Sequence, residues 1–285
     1  MIKIITEDKY AGGLYRIIEN LLRRVDASII SDIELINKNG IKNVLKYLRI
    51  EDLNKDKYIL FIDLVYDNDS VMETYDNILE LVGDRSNVLI IEMLCFEELM
   101  LNFRYLIKWI RNKEKNCEFS EAIWLINKFI TLNYVGEYWF ICEELLNFVK
   151  RRYNHCNCYI KDGILRYRKN KNGNEGIIST ENVAYLLLNY ITNLSLFKYE
   201  KGEYSYCWFN NCCNRNKGDF NYNEVIRKCN LEDKQMTSEE KLYELYFGTE
   251  IHNYFDKISE FLGIESLKIF DSKEIQEFFD IKIYN

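Results

Sequence analysis

The sequence predicts an α/β domain over residues 1–106, built on a mostly parallel four-stranded sheet, followed by a mainly α-helical region over 107–285. Three observations carry this. Short apolar, β-branched runs alternate with amphipathic helical stretches through the first hundred residues, the connections between them are short, and beyond Phe96 the apolar residues recur at helical spacing. Strand and helix alternating with short connections give parallel strands joined by right-handed crossovers.

Met1-Ile2-Lys3-Ile4-Ile5-Thr6 reads as the first strand; it runs into Glu7, Asp8 and the pair Gly12-Gly13. Leu14, Ile17, Ile18, Leu21 and Leu22 then follow the spacing of one buried helical stripe, with Arg16, Glu19, Arg23 and Arg24 outside it. Ser28 to Ile36 is rich in isoleucine and reads as the second strand. Asn37-Lys38-Asn39-Gly40 turns the chain into a helix marked by Ile41, Val44, Leu45 and Leu48. Tyr58-Ile59-Leu60-Phe61-Ile62 is a continuous apolar run ending at Asp63, the pattern of a central strand covered on both faces. A helix from about Val71 to Val82 and a fourth strand from Asn87 to Leu94 complete the unit.

From Phe96 to Arg152 the spacing of Leu99, Phe103, Leu106, Ile107 and Ile110, then Ile123, Ile126, Phe129 and Ile130, predicts packed helices. Residues 153–176 read as a hairpin or loop of basic residues around Gly163, Gly173 and Gly176. Helical patterning returns near Thr180 to Leu196, breaks at a Tyr/Cys-rich insert over 199–229, and resumes from Ser238, a helix start with Glu239, Glu240 and Lys241 behind it.

Composition narrows the function classes. A chain of 285 residues with 48% hydrophobic and 29% charged residues buries a real core. It contains no proline, so Gly, Asn and Asp must make its turns. The formal net charge of -7 argues against a protein that coats nucleic acid non-specifically, while leaving room for a local basic surface. The N-terminus lacks the long apolar region of a signal peptide, and no apolar run approaches the ~18 residues of a membrane span, so a cytoplasmic protein without membrane contact is expected. Nine cysteines in such a chain are expected to be reduced thiols.

The most informative constellation is acidic. Ligands of parallel sheets bind beyond the carboxyl ends of the strands, and those ends carry Glu7, Asp63, Asp67 and Asp69. Carboxylate oxygens converging there suit Mg²⁺, which keeps several waters for a phosphate-bearing substrate. Four stretches stand in one order: Ile4-Ile5-Thr6-Glu7 before a helix, Asn39-Gly40-Ile41-Lys42-Asn43-Val44 opening the second helix, Phe61-Ile62-Asp63 with Asp67-Asn68-Asp69, and Cys95-Phe96-Glu97-Glu98-Leu99-Met100-Leu101. In this order they resemble the Toprim domain, in particular the versions in OLD-type and RloB-type nucleases of bacterial antiviral systems, over roughly residues 1–105.

The resemblance implies a nuclease dependent on Mg²⁺ or Mn²⁺, acting in antiviral defence or a mobile element. Glu7 would be its acid/base residue, Asp63 its principal metal ligand, and Asp67, Asp69 and Glu97 further metal contacts. The chain departs from the family in one place: Leu64 and Val65 follow Asp63, so the tight Asp-x-Asp is missing there and Asp67-Asn68-Asp69 comes four residues later. Each carboxylate also has a simpler reading, as a solvated turn residue, a helix cap or, for Glu97 and Glu98, a first-turn complement to the helix dipole. Glu92, inside an apolar strand, must face solvent or have a partner.

Two further clusters stand apart. Cys207, Cys212, Cys213 and Cys229, with His155, Cys156 and Cys158 upstream, could hold a structural Zn²⁺, although Cys-x₄-Cys-Cys is not knuckle spacing and idle thiols are the simpler reading. The only strong positive concentration runs through Lys150, Arg151, Arg152, Lys161, Arg166, Arg168, Lys169 and Lys171, with Tyr153, Tyr159 and Tyr167 among them, a mixture suited to phosphate contacts and base stacking. The alternative is a solvated loop.

Three functional readings follow. The first is the metal-dependent nuclease, acting on DNA or RNA with an ATPase or other protein partner, or a second copy, supplying targeting. The second is a non-catalytic Toprim-like binding or regulatory module. The third, a nucleotide-binding α/β protein, lacks both the Gly-x-Gly-x-x-Gly turn and the P-loop.

Overall fold

The computed structural model describes residues 1–8, 13–64, 68–101, 157–161, 164–168, 175–177 and 238–283. The first eight elements are β1 (Ile2–Thr6), α1 (Gly13–Leu22), α2 (Ala27–Ile30), β2 (Ile33–Asn37), α3 (Ile41–Leu48), β3 (Lys57–Asp63), α4 (Asp69–Val82) and β4 (Val88–Met93). The four strands form one sheet in the order β2-β1-β3-β4, and every pairing is parallel.

The second strand is shorter than the isoleucine run suggests. The Asp26 side chain accepts a 2.8 Å hydrogen bond from the Ser28 N–H and caps a helical turn, α2, so pairing begins only at Ile33. Asparagine and glycine then make the turn into α3: Asn39 has φ 55° and Gly40 φ 106°.

Strand order fixes the layers. The chain passes from β1 to β2 on one side and from β2 to β3, then β4, on the other, so right-handed crossovers put α1 on one face and α3 and α4 on the opposite face. Side chains alternate accordingly. Ile5, Tyr58, Leu60 and Ile62 share a buried cluster with Val44, Leu45 and Leu48 of α3 and Tyr75 and Ile78 of α4. Ile4, Ile59 and Phe61 point the other way and are equally buried.

That second face has only α1 from the crossovers. The C-terminal helices share a compact unit with the sheet, which comprises residues 1–64, 70–93 and 235–285. These helices are α6 (Ser238–Gly248), α7 (Ile251–Leu262) and α8 (Ser272–Ile283) in the present numbering. Tyr254 of α7 meets Phe61 edge-to-face at 6.0 Å, and Lys57 lies 5.5 Å from the Phe261 ring. Arg24 secures the following segment, donating to Ile269 O at 3.2 Å, pairing with Glu274 at 2.8 Å and lying 4.3 Å over the Phe270 ring. Asp271 and Glu274 exchange side-chain-to-backbone bonds of 2.7 and 3.0 Å, a reciprocal cap that starts α8.

At the amino edge of the sheet Lys3 is buried in β1. Its ammonium meets Glu51 at 2.5 Å and Asp56 at 3.6 Å and faces the Tyr47 and Tyr58 rings, while the terminal amine of Met1 holds Asp56 at 3.2 Å. A cation in a central strand is tolerated only with such partners. Glu92 of β4, an exposed residue, receives the Tyr75 hydroxyl, so it has both water and a partner.

A second compact unit comprises 65–69 and 94–234. Its described elements are the helix α5 (Phe96–Leu101) and an antiparallel sheet of β5 (Asn157–Lys161), β6 (Ile164–Arg168) and β7 (Glu175–Ile177), in the order β5-β6-β7. The expectation of a mainly helical region over 107–285 falls for the most part on residues outside the described ones. Among the described residues no helix is long and apolar enough to cross a membrane.

Candidate active site at the carboxyl edge of the sheet

In an open parallel sheet, the crevice lies where strand order reverses, because the loops leaving two neighbouring strands diverge to opposite faces. Here that point is between β1 and β3. Register places Thr6 beside Phe61, so Glu7, just past β1, and Asp63, the last residue of β3, leave the sheet together.

The structure joins them directly. The Asp63 N–H donates a 2.8 Å hydrogen bond to Glu7 Oε1. The exit of β2 holds the Glu7 backbone from the other side: Lys38 N–H donates to Thr6 O at 3.0 Å, Gly40 N–H to Glu7 O at 2.6 Å, and Asn39 N–H to Asp8 O at 3.0 Å. A Cβ at Gly40 would meet nothing within 4 Å, so glycine stands there for its backbone angle rather than for space. Past Asp63 the chain remains against β4, because the Leu64 N–H donates to Met93 O at 2.6 Å and Leu64 is buried.

Asp8 is an acidic residue that the motif reading did not nominate. Its Oδ2 accepts from the Tyr15 N–H at 2.9 Å at the start of α1. Burial pushes its carboxyl above the ordinary range, while the N–H groups of Tyr15 and Leu14 draw it back. Its work is at the helix terminus.

The other expected metal contacts stand differently. Asp69 is exposed and opens α4, where an acid in the first turn complements the helix dipole. Asp67 lies outside the described residues, as does the side chain of Glu97, whose backbone is in α5. Among the described residues no group of three His, Cys, Asp or Glu is arranged to hold a metal ion. The donors that are described, the Glu7 and Asp63 carboxylates, are hard oxygen ligands on adjacent strands. That set fits Mg²⁺ or Mn²⁺, since Mg²⁺ commonly takes only one or two carboxylates and fills its octahedron with water and phosphate.

The zinc candidates Cys207, Cys212, Cys213, Cys229, His155 and Cys156 lie outside the described residues, and Cys158 is described only as part of the β5 backbone. Cys95 is buried and forms no disulfide. Of the basic candidates, Arg166 and Arg168 are on β6, while Lys150, Arg151, Arg152 and Lys169 lie outside the described residues.

Comparison of the chain with protein-family models, with curated proteins and with solved structures finds no match in any of the three.

Proposed function

We propose that this chain is a metal-dependent nuclease of Toprim-like architecture, cleaving phosphodiester bonds in DNA or RNA with Mg²⁺ or Mn²⁺. One observation carries the reading: two carboxylate residues, Glu7 and Asp63, meet at the switch point of an all-parallel sheet, with the backbone N–H of one bound to the side chain of the other.

In this reading Asp63 is the principal metal ligand, and Asp67, Asp69 and Glu97 would be further contacts. The bound cation would neutralise phosphate charge and acidify a coordinated water. Glu7 takes or returns the proton at the reacting oxygen. The Asp63 N–H fixes the carboxylate, and the Gly40 and Lys38 N–H groups keep its backbone from shifting. Two carboxylates and a metal need no histidine, in keeping with a chain that has only two. The setting that fits is bacterial defence or a mobile element, with an ATPase, another protein or a second copy directing the cut.

A second reading has its own support. Leu64, buried, and Val65 occupy the positions after Asp63 where an Asp-x-Asp pair would continue, which favours a binding or regulatory module that kept the fold and lost the metal.

The deciding experiment is cleavage of single-stranded, duplex and tRNA substrates with Mg²⁺ or Mn²⁺ by wild type, Glu7→Gln and Asp63→Asn. The nuclease reading expects metal-dependent cutting that falls about 10²- to 10⁴-fold in Glu7→Gln, the usual range for general acid/base groups, with folding intact. Equal cutting by both variants refutes the site. An absence of cutting, together with no calorimetric Mg²⁺ binding sensitive to Asp63→Asn, establishes the module instead.

A further inference from the structure

The three-stranded sheet β5-β6-β7 has a chemistry that the edge of the parallel sheet does not use. Pairing sets Tyr159 directly opposite Arg166, Asn157 opposite Arg168 and Lys161 opposite Ile164. Residues opposite one another in an antiparallel pair point to the same side. One face therefore collects Asn157, Tyr159, Lys161, Ile164, Arg166 and Arg168, with Glu175 of β7 opposite Arg168 and Ile177 opposite Arg166, whereas the alternate positions 158, 160, 165 and 167 are Cys, Ile, Leu and Tyr.

The charged face is accessible in part. Lys161 and Arg168 are exposed, and Tyr159 and Arg166 are half-buried. The Arg168 guanidinium lies 5.7 Å from the Tyr159 ring centroid, a diagonal cross-strand contact that presents cation and ring together. The Arg166 Nε is buried and has no hydrogen-bond partner among the described residues. A guanidinium N–H so placed is costly unless an acceptor joins it. The same face gathers three cationic residues against one acidic residue, Glu175, a local positive excess in a chain whose net charge is -7.

We propose that this face binds single-stranded nucleic acid, with Lys161, Arg166 and Arg168 on phosphates and a base stacked against Tyr159. The inference rests on the nuclease reading for its biological sense but not for its chemistry. Charge complementarity commits the occupant to a polyanion, and the half-exposed ring selects one with unpaired bases, because a duplex hides its base faces. Strands of five residues at sheet spacing give a face roughly 14 Å by 10 Å, the scale of sheet platforms that stack about two or three bases.

The test is fluorescence anisotropy with the full chain in EDTA, so that metal-dependent cleavage is silent, using labelled single-stranded oligonucleotides and a duplex of the same sequence over a series of salt concentrations. Wild type is expected to bind single strands more tightly than duplex, with affinity falling as salt rises. Lys161→Glu/Arg168→Glu, at two exposed positions that leave folding intact, should weaken binding at least tenfold and reduce the log–log salt slope by about 1 to 2. Tyr159→Leu should weaken it about tenfold with the slope unchanged. No single-strand binding by wild type, tighter duplex binding, or variants equal to wild type would overturn the inference. Cleavage lost in Glu7→Gln with binding intact in the β5–β6 variants would sink the docking face and leave the nuclease; binding lost in those variants without cleavage by any protein would do the reverse.

Discussion

Replacing Lys3 by methionine isolates one buried charge with a stability cost that can be worked from its surroundings. The ammonium sits at the amino edge of a parallel sheet with its side chain 10% exposed, bound to a Glu51 carboxylate that is 22% exposed. Removing it does not orphan both acids equally. Asp56 retains the Met1 amine at 3.2 Å, whereas Glu51 loses its one cationic partner among those named and keeps the neutral Tyr47 and Tyr58 hydroxyls, the latter at 3.2 Å, with partial access to water. Truncating one partner of a buried pair costs roughly 3–5 kcal/mol; with water reaching Glu51 and the methionine filling the stem's volume, about 3 kcal/mol is expected at pH 7. The pH dependence follows from the same contact. The bond from Lys3 holds the Glu51 carboxyl below its ordinary value, so it contributes stability above the unfolded pKa that is lost as pH falls through the lower folded one. Wild type therefore loses this increment on acidification and Lys3→Met has none to lose, so their stabilities converge below about pH 4. Urea unfolding of both proteins at pH 7 and pH 3.5 measures this. A variant as stable as wild type at pH 7, or a deficit unchanged at pH 3.5, refutes the reasoning.

Other expectations concern the site and its frame. Gly40→Ala should lose about 1–3 kcal/mol in urea unfolding, because φ 106° is closed to a side chain although space is open, and cleavage should fall with it as the Glu7 backbone loses its anchor; wild-type stability in this variant would contradict the strain. Asp8→Asn keeps an acceptor for the Tyr15 N–H and abolishes a half-buried charge. Since burial raises the Asp8 carboxyl in the folded state, wild type loses stability as pH rises from the unfolded value through the folded one, so the variant should melt higher at pH 7 and the gain should vanish below about pH 4. Arg24→Ala should cost about 2 kcal/mol through its charge-assisted bond and ring contact, and a double-mutant cycle with Glu274→Ala should return a favourable coupling rather than zero.

The parallel sheet was legible because its strands are continuous apolar runs that helical stripes separate, and parallel connectivity alone puts Glu7 and Asp63 on one edge. What joins them was not legible: a bond from a backbone N–H to a side chain 56 positions away leaves no mark on residue spacing. The second strand starts later than its isoleucines suggest because Asp26, a cap, competes locally with extended backbone for Ser28. The Lys3 cluster was hidden for a related reason. A lysine in an apolar run reads as solvent-facing until Glu51 and Asp56, from the loop before β3, are brought beneath it.

The helix α7 shows how far an amphipathic pattern reaches. Ile251, Tyr254, Phe255 and Ile258 say that one side of it is buried, and nothing in them says against what. Topology supplies the answer. With β1-to-β2 as the only crossover on its face, α1 covers that half of the sheet and leaves Ile59, Phe61 and Ile91 of β3 and β4 to be covered from elsewhere. All three are at most 1% exposed in the folded chain. Uncovering them removes roughly 1.5–3 kcal/mol each, an upper bound given a compact unfolded chain, but together comparable with the whole 5–15 kcal/mol that holds a domain folded. A fragment of residues 1–106 is therefore expected to lack a cooperative thermal transition and to bind a hydrophobic dye, and co-expression with residues 235–285 to restore the transition. A fragment that melts cooperatively alone, at the temperature of the full chain, would show that the sheet does not need α7 and that its buried second face is closed by α1 unaided.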